Sequence, residues 1–428
     1  MLLRDDPSVR LPAGWAPSHR ALLEAVGPAE ASGGSVPLQA VVVPSSRGAD
    51  RPRSGLTFAA RIARENSCPL VLLHSQHASA VLDDTLQSLT SWTSGEVDVV
   101  AIDAIEWLER SARSSRDTTF EVDRLQISRI AGPGFSRGAH PVRHNDVGTK
   151  RNLALLMARR MGWERVLFLD DDIQASGTPG TRTLDRNQLT AALDELGRRP
   201  VVAWTARDYA DNSVVCRIRS MLGHPDQEQF VSGSALLVAV DERMPFFPAV
   251  YNEDWLFLLG YLDAQAHPVI GEAGDVSQDR YDGLHADRAL GEELGDVLAE
   301  GLMSLRHGNG DAGPAQDPDY WRGCLRARRA LIEKLAAEYS SAPGLDDGER
   351  RAIDEALSAL QVMHAEVSRI EEDVARELAV YRATWLRDLE VWSSRLQAAG
   401  DWSLELDGCT RVCGPSRSVS AFLQHHRG

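Results

Sequence analysis

The sequence predicts an α/β protein, a doubly wound and mostly parallel sheet followed by a helical C-terminal region. Three observations predict it. Short aliphatic runs alternate with helical spacing between about residues 38 and 240. One of those runs, Val166-Leu-Phe-Leu169, ends on three acids, Asp170-Asp171-Asp172. From about residue 286 the strand signals stop, and apolar residues recur three or four apart.

Residues 1–36 form an N-terminal extension rich in Pro, Gly, Ala and Ser, with one helix expected near Ser18–Val26. The alternation then begins. Leu38–Pro44 reads as a strand, Leu56–Arg64 as a helix, Pro69–His74 as a strand, Ala78–Leu89 as a helix and Val97–Ile102 as a strand. After a polar stretch, Thr149–Met161 has helical spacing and Gly162 is a natural stop for it. The acid-tipped strand follows, then a helix over Asn187–Arg198 and strands over Pro200–Thr205 and Ser234–Val240. Residues 37–286 are the expected α/β unit, 287–400 the helical region and 401–428 a tail.

In the helical region one apolar stripe runs from Ile353 through Leu357, Leu360, Val367, Ile370, Val374, Leu378, Tyr381, Trp385, Leu389 and Trp392 to Leu396. Unbroken, that is a helix of roughly 60 Å. Its stripe is covered either by the helix expected around Trp321–Leu335, which gives a helical lobe, or by a second subunit in a homodimer. The persistence of the stripe favours the dimer.

Composition excludes several functions. The chain has 46 Lys and Arg against 62 Asp and Glu, a net charge of −16, which argues against general nucleic-acid or anionic-membrane binding. No apolar run reaches the ~18 residues of a membrane helix. Met1-Leu-Leu-Arg-Asp-Asp-Pro7 lacks the apolar core of a signal peptide. Five cysteines are few for 428 residues, and a reduced, cytoplasmic protein is the expectation. Cys409 and Cys413, with His425 and His426, have spacing unlike that of zinc modules and read as ordinary tail residues.

The chemistry is concentrated in three places. A strand tip in an open α/β sheet is where ligands bind. Adjacent carboxylates there repel unless a cation lies between them, and hard oxygens suit Mg²⁺ or Mn²⁺. On an extended chain Asp170 and Asp172 share a side and Asp171 faces away, so the first two are the pair for one metal. Lys150 and Arg151 open the Thr149–Met161 helix, with Arg137, Arg143 and His144 upstream. Helix-start N–H groups and guanidinium groups favour phosphate, and ion pairing to nearby acids is the alternative. Asp254, in Asn252-Glu-Asp-Trp255, is the candidate general base, against the alternative that these residues cap a helix.

The segment Asp146-Val-Gly-Thr-Lys-Arg-Asn152 with its helix, the strand ending Asp170-Asp171-Asp172, Phe230-Val-Ser-Gly-Ser-Ala-Leu-Leu-Val238, and Phe246-Phe-Pro248 with Asn252-Glu-Asp-Trp255 together resemble family 2 glycosyltransferases of the GT-A fold. The resemblance covers roughly residues 38–285. It implies a nucleotide-diphosphate sugar donor, a hydroxyl acceptor, and Mn²⁺ or Mg²⁺ held through a DXD motif. Asp170 would contact the sugar nucleotide and Asp172 the metal. Pro44 and Ser45 would belong to the nucleotide loop, and His285, in Asp282-Gly-Leu-His285, would be a further metal ligand by position. The family's acid after the second strand is replaced here by His74-Ser75. The chain lacks the Gly-rich signature of sugar-nucleotide pyrophosphorylases and the Gln-x-x-Arg-Trp motif of processive synthases. The expected activity is an inverting glycosyl transfer. A nucleotidyltransferase on a related fold and a non-catalytic nucleotide-sugar-binding scaffold are the alternatives.

Overall fold

The computed structural model describes residues 23–25, 37–45, 54–75, 79–107, 120–125, 146–175, 183–207, 213–224, 231–264, 270–278, 284, 286–308, 313–398 and 409–427. The described strands form one ten-stranded sheet. In chain order they are β1 (Leu23–Ala25), β2 (Ala40–Ser45), β3 (Leu70–His74), β4 (Val99–Asp103), β5 (Arg165–Leu169), β6 (Ile173–Ala175), β7 (Val201–Arg207), β8 (Val231–Ala239), β9 (Ile270–Gln278) and β10 (Thr410–Cys413). Their order across the sheet is β1-β9-β7-β8-β5-β2-β3-β4-β10, with β6 paired to β9. Of these pairings, β8 runs antiparallel to both β5 and β7, β10 to β4 and β6 to β9; the others are parallel. The expected doubly wound, mostly parallel sheet is therefore the observed one.

The winding positions the site. The chain runs outward along β2, β3 and β4, then returns to lay β5 on the other side of β2. Strand order reverses between β2 and β5, so the crevice beyond their C-terminal ends is the ligand position of such a sheet. Central strands have both faces covered, which is why β2 and β3 are buried along their whole length. Pro44 is tolerated in β2 because it lies beyond Val42, the last β2 residue registered with β5.

Helices α1 (Ser54–Glu65), α2 (Ser79–Trp92), α3 (Val147–Met161), α4 (Arg186–Glu195), α5 (Val214–Met221) and α6 (Glu253–Ala264) accompany the sheet. Gly162 ends α3 in the left-handed conformation, φ 73°, and its N–H donates to the carbonyls of Ala158 and Arg159. The C-terminal region supplies α7 (Ala286–Gly308), α8 (Pro318–Tyr339), α9 (Asp347–Arg369), α10 (Glu371–Ala398) and α11 (Val419–His425).

Two expectations are corrected here. Residues Leu23–Ala25 are a strand, paired in parallel with Ile270–Glu272, and not part of a helix. The long helix is two helices, α9 and α10, parted at Ile370 with φ −121° and ψ 23°.

The apolar stripe is buried almost throughout. Ile353, Leu357 and Leu360 pack with Leu331, Ile332 and Leu335 of α8. Val374, Leu378, Tyr381, Trp385, Trp392 and Leu396 join the main core with Phe246, Trp321 and Phe120. Trp392 donates its indole N–H to the Met244 carbonyl, 3.0 Å. The stripe that raised the expectation of a second subunit is thus covered from within the chain, and the core runs across residue 286. Among the described residues no helix is long and apolar enough to cross a membrane.

Candidate functional site

Four parallel strand tips lie side by side: Ser45 on β2, His74 and Ser75 at β3, Asp103 on β4 and Asp170 after β5. Helix α3 starts beneath them. Lys150, fully buried, donates to the Ser45 carbonyl at 2.8 Å and to Ser75 Oγ at 2.9 Å, and pairs with Asp146 at 2.9 Å. Burial lowers its pKa, against the opposing charges of Asp146, Asp171 and Asp103. Lys150 therefore ties the tips of β2 and β3 together. Asp146 is four residues before Lys150, the spacing that makes such pairs on a helix.

Arg151 is next to it and 2% exposed. Its Nη2 meets Asp170 Oδ1 at 2.8 Å and its Nη1 meets Glu253 Oε1 at 2.8 Å. The guanidinium also lies 5.4 Å over the Phe247 ring. Gly233 on β8 leaves the room for it, since a Cβ there would be 2.5 Å from Nη1. Burial opposes the Arg151 charge, but Asp170, Glu253 and Asp254 outweigh that and raise its pKa. Asn152 completes the helix start, exchanging side-chain hydrogen bonds with the Phe247 carbonyl and N–H, 2.7 and 2.8 Å. Both cations read as a phosphate group are thus engaged with acids of the chain, the alternative weighed for them.

The acids do not continue the strand. Asp171 and Asp172 form a turn, closed by the Ile173 N–H donating to the Asp170 carbonyl at 3.1 Å. Alternation of side chains, which assumes an extended chain, does not apply here. Asp170 remains partly exposed, its side chain at 26%. Asp171 accepts from Ser45 Oγ at 2.7 Å across the β2–β5 switch. Asp172 is turned inward, 3% exposed. The start of α1 packs so closely on this turn that a Cβ on Gly55 would lie 2.3 Å from the Asp171 carbonyl carbon. Burial pushes the Asp170 carboxyl up to about 7; Arg151 opposes the shift, and Asp172 and Asp171 add to it.

Opposite, Asn252 takes a left-handed φ of 65° just before α6. Its amide donates to Asp296 of α7 at 3.0 Å, and Asp296 pairs with Arg328 of α8. Asp254 accepts the Gly233 N–H at 2.7 Å and the Trp255 N–H at 2.8 Å. It links β8 to α6, closer to the capping alternative than to a free carboxylate. Burial, with the charge of Asp254, pushes Glu253 up to about 8 against Arg151. Trp255 is 4% exposed and belongs to the core.

The structure brings together Pro44, Ser45, Lys150, Arg151, Asp170, Asp172 and Asp254. His285, Arg137, Arg143 and His144 lie outside the described residues. Glu253, read from sequence only as a neighbour of Asp254, emerges as the second acid on Arg151. The donor set suits a hard divalent cation: carboxylates crowd one guanidinium, and those nearest it hold protons more tightly than ordinary acids. Among the described residues these acids do not gather three donors within 4.8 Å of one another, so the remaining ligands would come from phosphate or water. Burial pushes the thiols of Cys68, Cys216 and Cys324 up to about 12, which disqualifies them as nucleophiles.

No family model and no curated protein matches the sequence. Among solved structures the chain is similar to a mannosyltransferase from Pyrobaculum calidifontis in complex with GDP-Man and Mn²⁺, at 13% identity over 88% of this chain and 90% of that one, with a TM-score of 0.40. It is also similar to glucosyl-3-phosphoglycerate synthase from Mycobacterium tuberculosis in complex with Mn²⁺, UDP and phosphoglyceric acid, at 15% identity over 65% of this chain and 81% of that one, with a TM-score of 0.34. Both scores are low; the fold described above rests on the strand order itself.

Proposed function

We propose that the protein is a metal-dependent glycosyltransferase with a GT-A-type core, moving a sugar from a nucleotide-diphosphate sugar to an acceptor hydroxyl with inversion. The observation that carries this reading is the bridge through Arg151. It joins Asp170, at the switch-point tip of β5, to Glu253, at the start of α6 beside Asp254. A cation-binding acid and a candidate base are thereby built into one rigid frame.

In this reading Asp170 and Asp172, with His285, hold Mn²⁺ or Mg²⁺. When bound, the ion would neutralise charge on the leaving diphosphate. The chain's own residues do the rest. Ser45 and Pro44 form the floor beneath the nucleotide. Lys150 fixes that floor from below, and Arg151 fixes the separation between the two acid groups. Asp254 takes the proton of the attacking hydroxyl. Hydrogen bonds from the Gly233 and Trp255 N–H groups aim the carboxylate. Direct displacement with one base gives inversion.

The test is a panel of nucleotide sugars with Mn²⁺, scored first by thermal shift, since ligand at 100 times its Kd stabilises by about 2.7 kcal/mol, and then by product. Release of nucleoside diphosphate supports the proposal. Release of pyrophosphate would make the chain a nucleotidyltransferase, and binding without turnover would make it a scaffold. Asp254→Asn should lower transfer by on the order of 10²–10⁴ with donor affinity nearly unchanged. Turnover within about threefold of wild type would remove Asp254 as the base.

A further inference from the structure

His425 and His426 do not converge on the cysteines that share their segment. They meet Asp98, at the other end of the sheet from the candidate active site. Asp98 lies just before β4, on the N-terminal side of a strand whose C-terminal tip, Asp103, is near Lys150. One ligating atom from each of Asp98, His425 and His426 lies within 4.8 Å of the other two, the only such trio among the described residues. From this we propose a second metal site, a zinc-type His₂Asp centre that clamps the C-terminal β10–α11 unit onto the edge of the sheet.

Four features go beyond a chance ion pair. The carboxylate is built in: Asp98 is 1% exposed and accepts from the Ser416 N–H at 2.8 Å and Ser416 Oγ at 2.5 Å. Outer hydrogen bonds of this kind orient a ligating carboxylate. The loop is shaped around it. Gly414 has φ 116°, and a Cβ there would be 2.5 Å from the Val97 carbonyl and 3.0 Å from Asp98 Oδ1. The two imidazoles stack, 4.7 Å between centroids at 12°, which holds both rings together beside Asp98. Finally, the His426 carbonyl is fixed by the Trp163 indole N–H at 2.8 Å, so the second imidazole is held by its backbone as well as by its 2.6 Å contact with Asp98.

Two imidazole nitrogens and one carboxylate oxygen suit Zn²⁺, with water as a fourth ligand. Ligand atoms sharing a tetrahedral ion at ~2.0–2.1 Å lie ~3.4 Å apart, so the trio needs small side-chain rotations. The Asp98–His426 hydrogen bond would open to admit the ion, and the proton leaves to solvent. The position, remote from the acids at β5, makes the role structural.

The experiment uses the full chain without a histidine tag and Zn²⁺ alone as probe, by calorimetric titration after dialysis against chelator. Wild type should bind one Zn²⁺ per chain and melt at higher temperature with it. His425→Ala removes an exposed ring, so its zinc-free melting temperature should match wild type while its zinc affinity falls at least tenfold. Ser416→Ala should weaken zinc by about 10–100-fold. Cys413→Ser should change neither, and Co²⁺ substitution should give no thiolate charge-transfer band. No zinc bound by wild type, unaltered affinity in His425→Ala, or loss of zinc in Cys413→Ser would each overturn the proposal.

Discussion

Arg328 is the residue whose loss should reveal how the helical lobe supports the candidate site. It is 2% exposed and fully ringed by acids: Glu293 at 3.0 Å, Glu300 at 3.2 Å, and Asp296, which also holds Asn252. His364 adds a contact to Glu293 at 2.9 Å. Burial raises Asp296 and pushes Glu300 up to about 7, in each case against Arg328; at Glu293 burial is outweighed by Arg328 and His364, and the pKa is lowered. Arg328→Met keeps the volume and removes the charge. Removing one partner of a buried pair typically costs ~3–5 kcal/mol, because the carboxyls stay buried without their cation. The sign follows from proton counting. Acids raised in the folded state keep protons that the unfolded chain has released, so stability falls as pH rises from their unfolded values through their folded ones. The loss in Arg328→Met should therefore be small at pH 5 and near its full value at pH 8, by urea denaturation at both. Adding Glu300→Gln to it should recover part of the loss at pH 8 only. A deficit under about 1 kcal/mol, or one equal at both pH values, would refute the account.

Gly233→Ala should cost about 1–3 kcal/mol by overpacking, because its Cβ would meet an Arg151 guanidinium that Asp170 and Glu253 hold in place; a change within about 0.5 kcal/mol in thermal unfolding would mean the guanidinium relaxes freely. Asp172→Asn should abolish the dependence of donor binding on Mn²⁺ while the unfolding transition stays cooperative, and calorimetry with and without the ion decides it. Asp123, pushed up to about 6 by burial and by Asp388 with the Ala249 N–H opposing, should make Asp123→Asn more stable than wild type at pH 8 and equal to it at pH 4. The gain has a ceiling of about 3 kcal/mol, discounted to ~1–2 because Asp123 is partly exposed; chemical denaturation at the two pH values would expose a gain at pH 4 or none at pH 8.

The sheet was legible because its strands are buried on both faces and so write themselves as aliphatic runs. Pro69–His74 was placed almost to the residue as Leu70–His74, and the stripe from Ile353 to Leu396 faces inward as its spacing implied. What escaped was set by distant partners. Leu23–Ala25 is a strand only because Ile270–Glu272 lies beside it, and three residues carry no period of their own. β10 is a strand because β4 offers an open edge to Thr410–Cys413. The break at Ile370 lacks the Gly or Pro that marks a helix end, so a continuous apolar period concealed it.

The candidate site divides along the same line. Residue type singled out Asp170, Asp172, Arg151 and Asp254 as candidates, because acids after a buried strand and charges at helix starts need partners. Residue type does not say which partner is taken. The positive charges of Lys150 and Arg151 suggested phosphate, yet both are satisfied inside the chain, by Asp146 and by Asp170 with Glu253. The geometry argues that this is their use. A guanidinium left free for phosphate would leave Asp170 and Glu253, 83 residues apart in sequence, with no fixed separation. Two raised carboxyls flanking one buried cation form a frame whose charge is under-compensated by design of its packing, and that deficit is what a divalent ion would fill. If the proposed function holds, the placement of the candidate site acids thus depends less on the acids themselves than on Arg151 and the Gly233 that makes room for it.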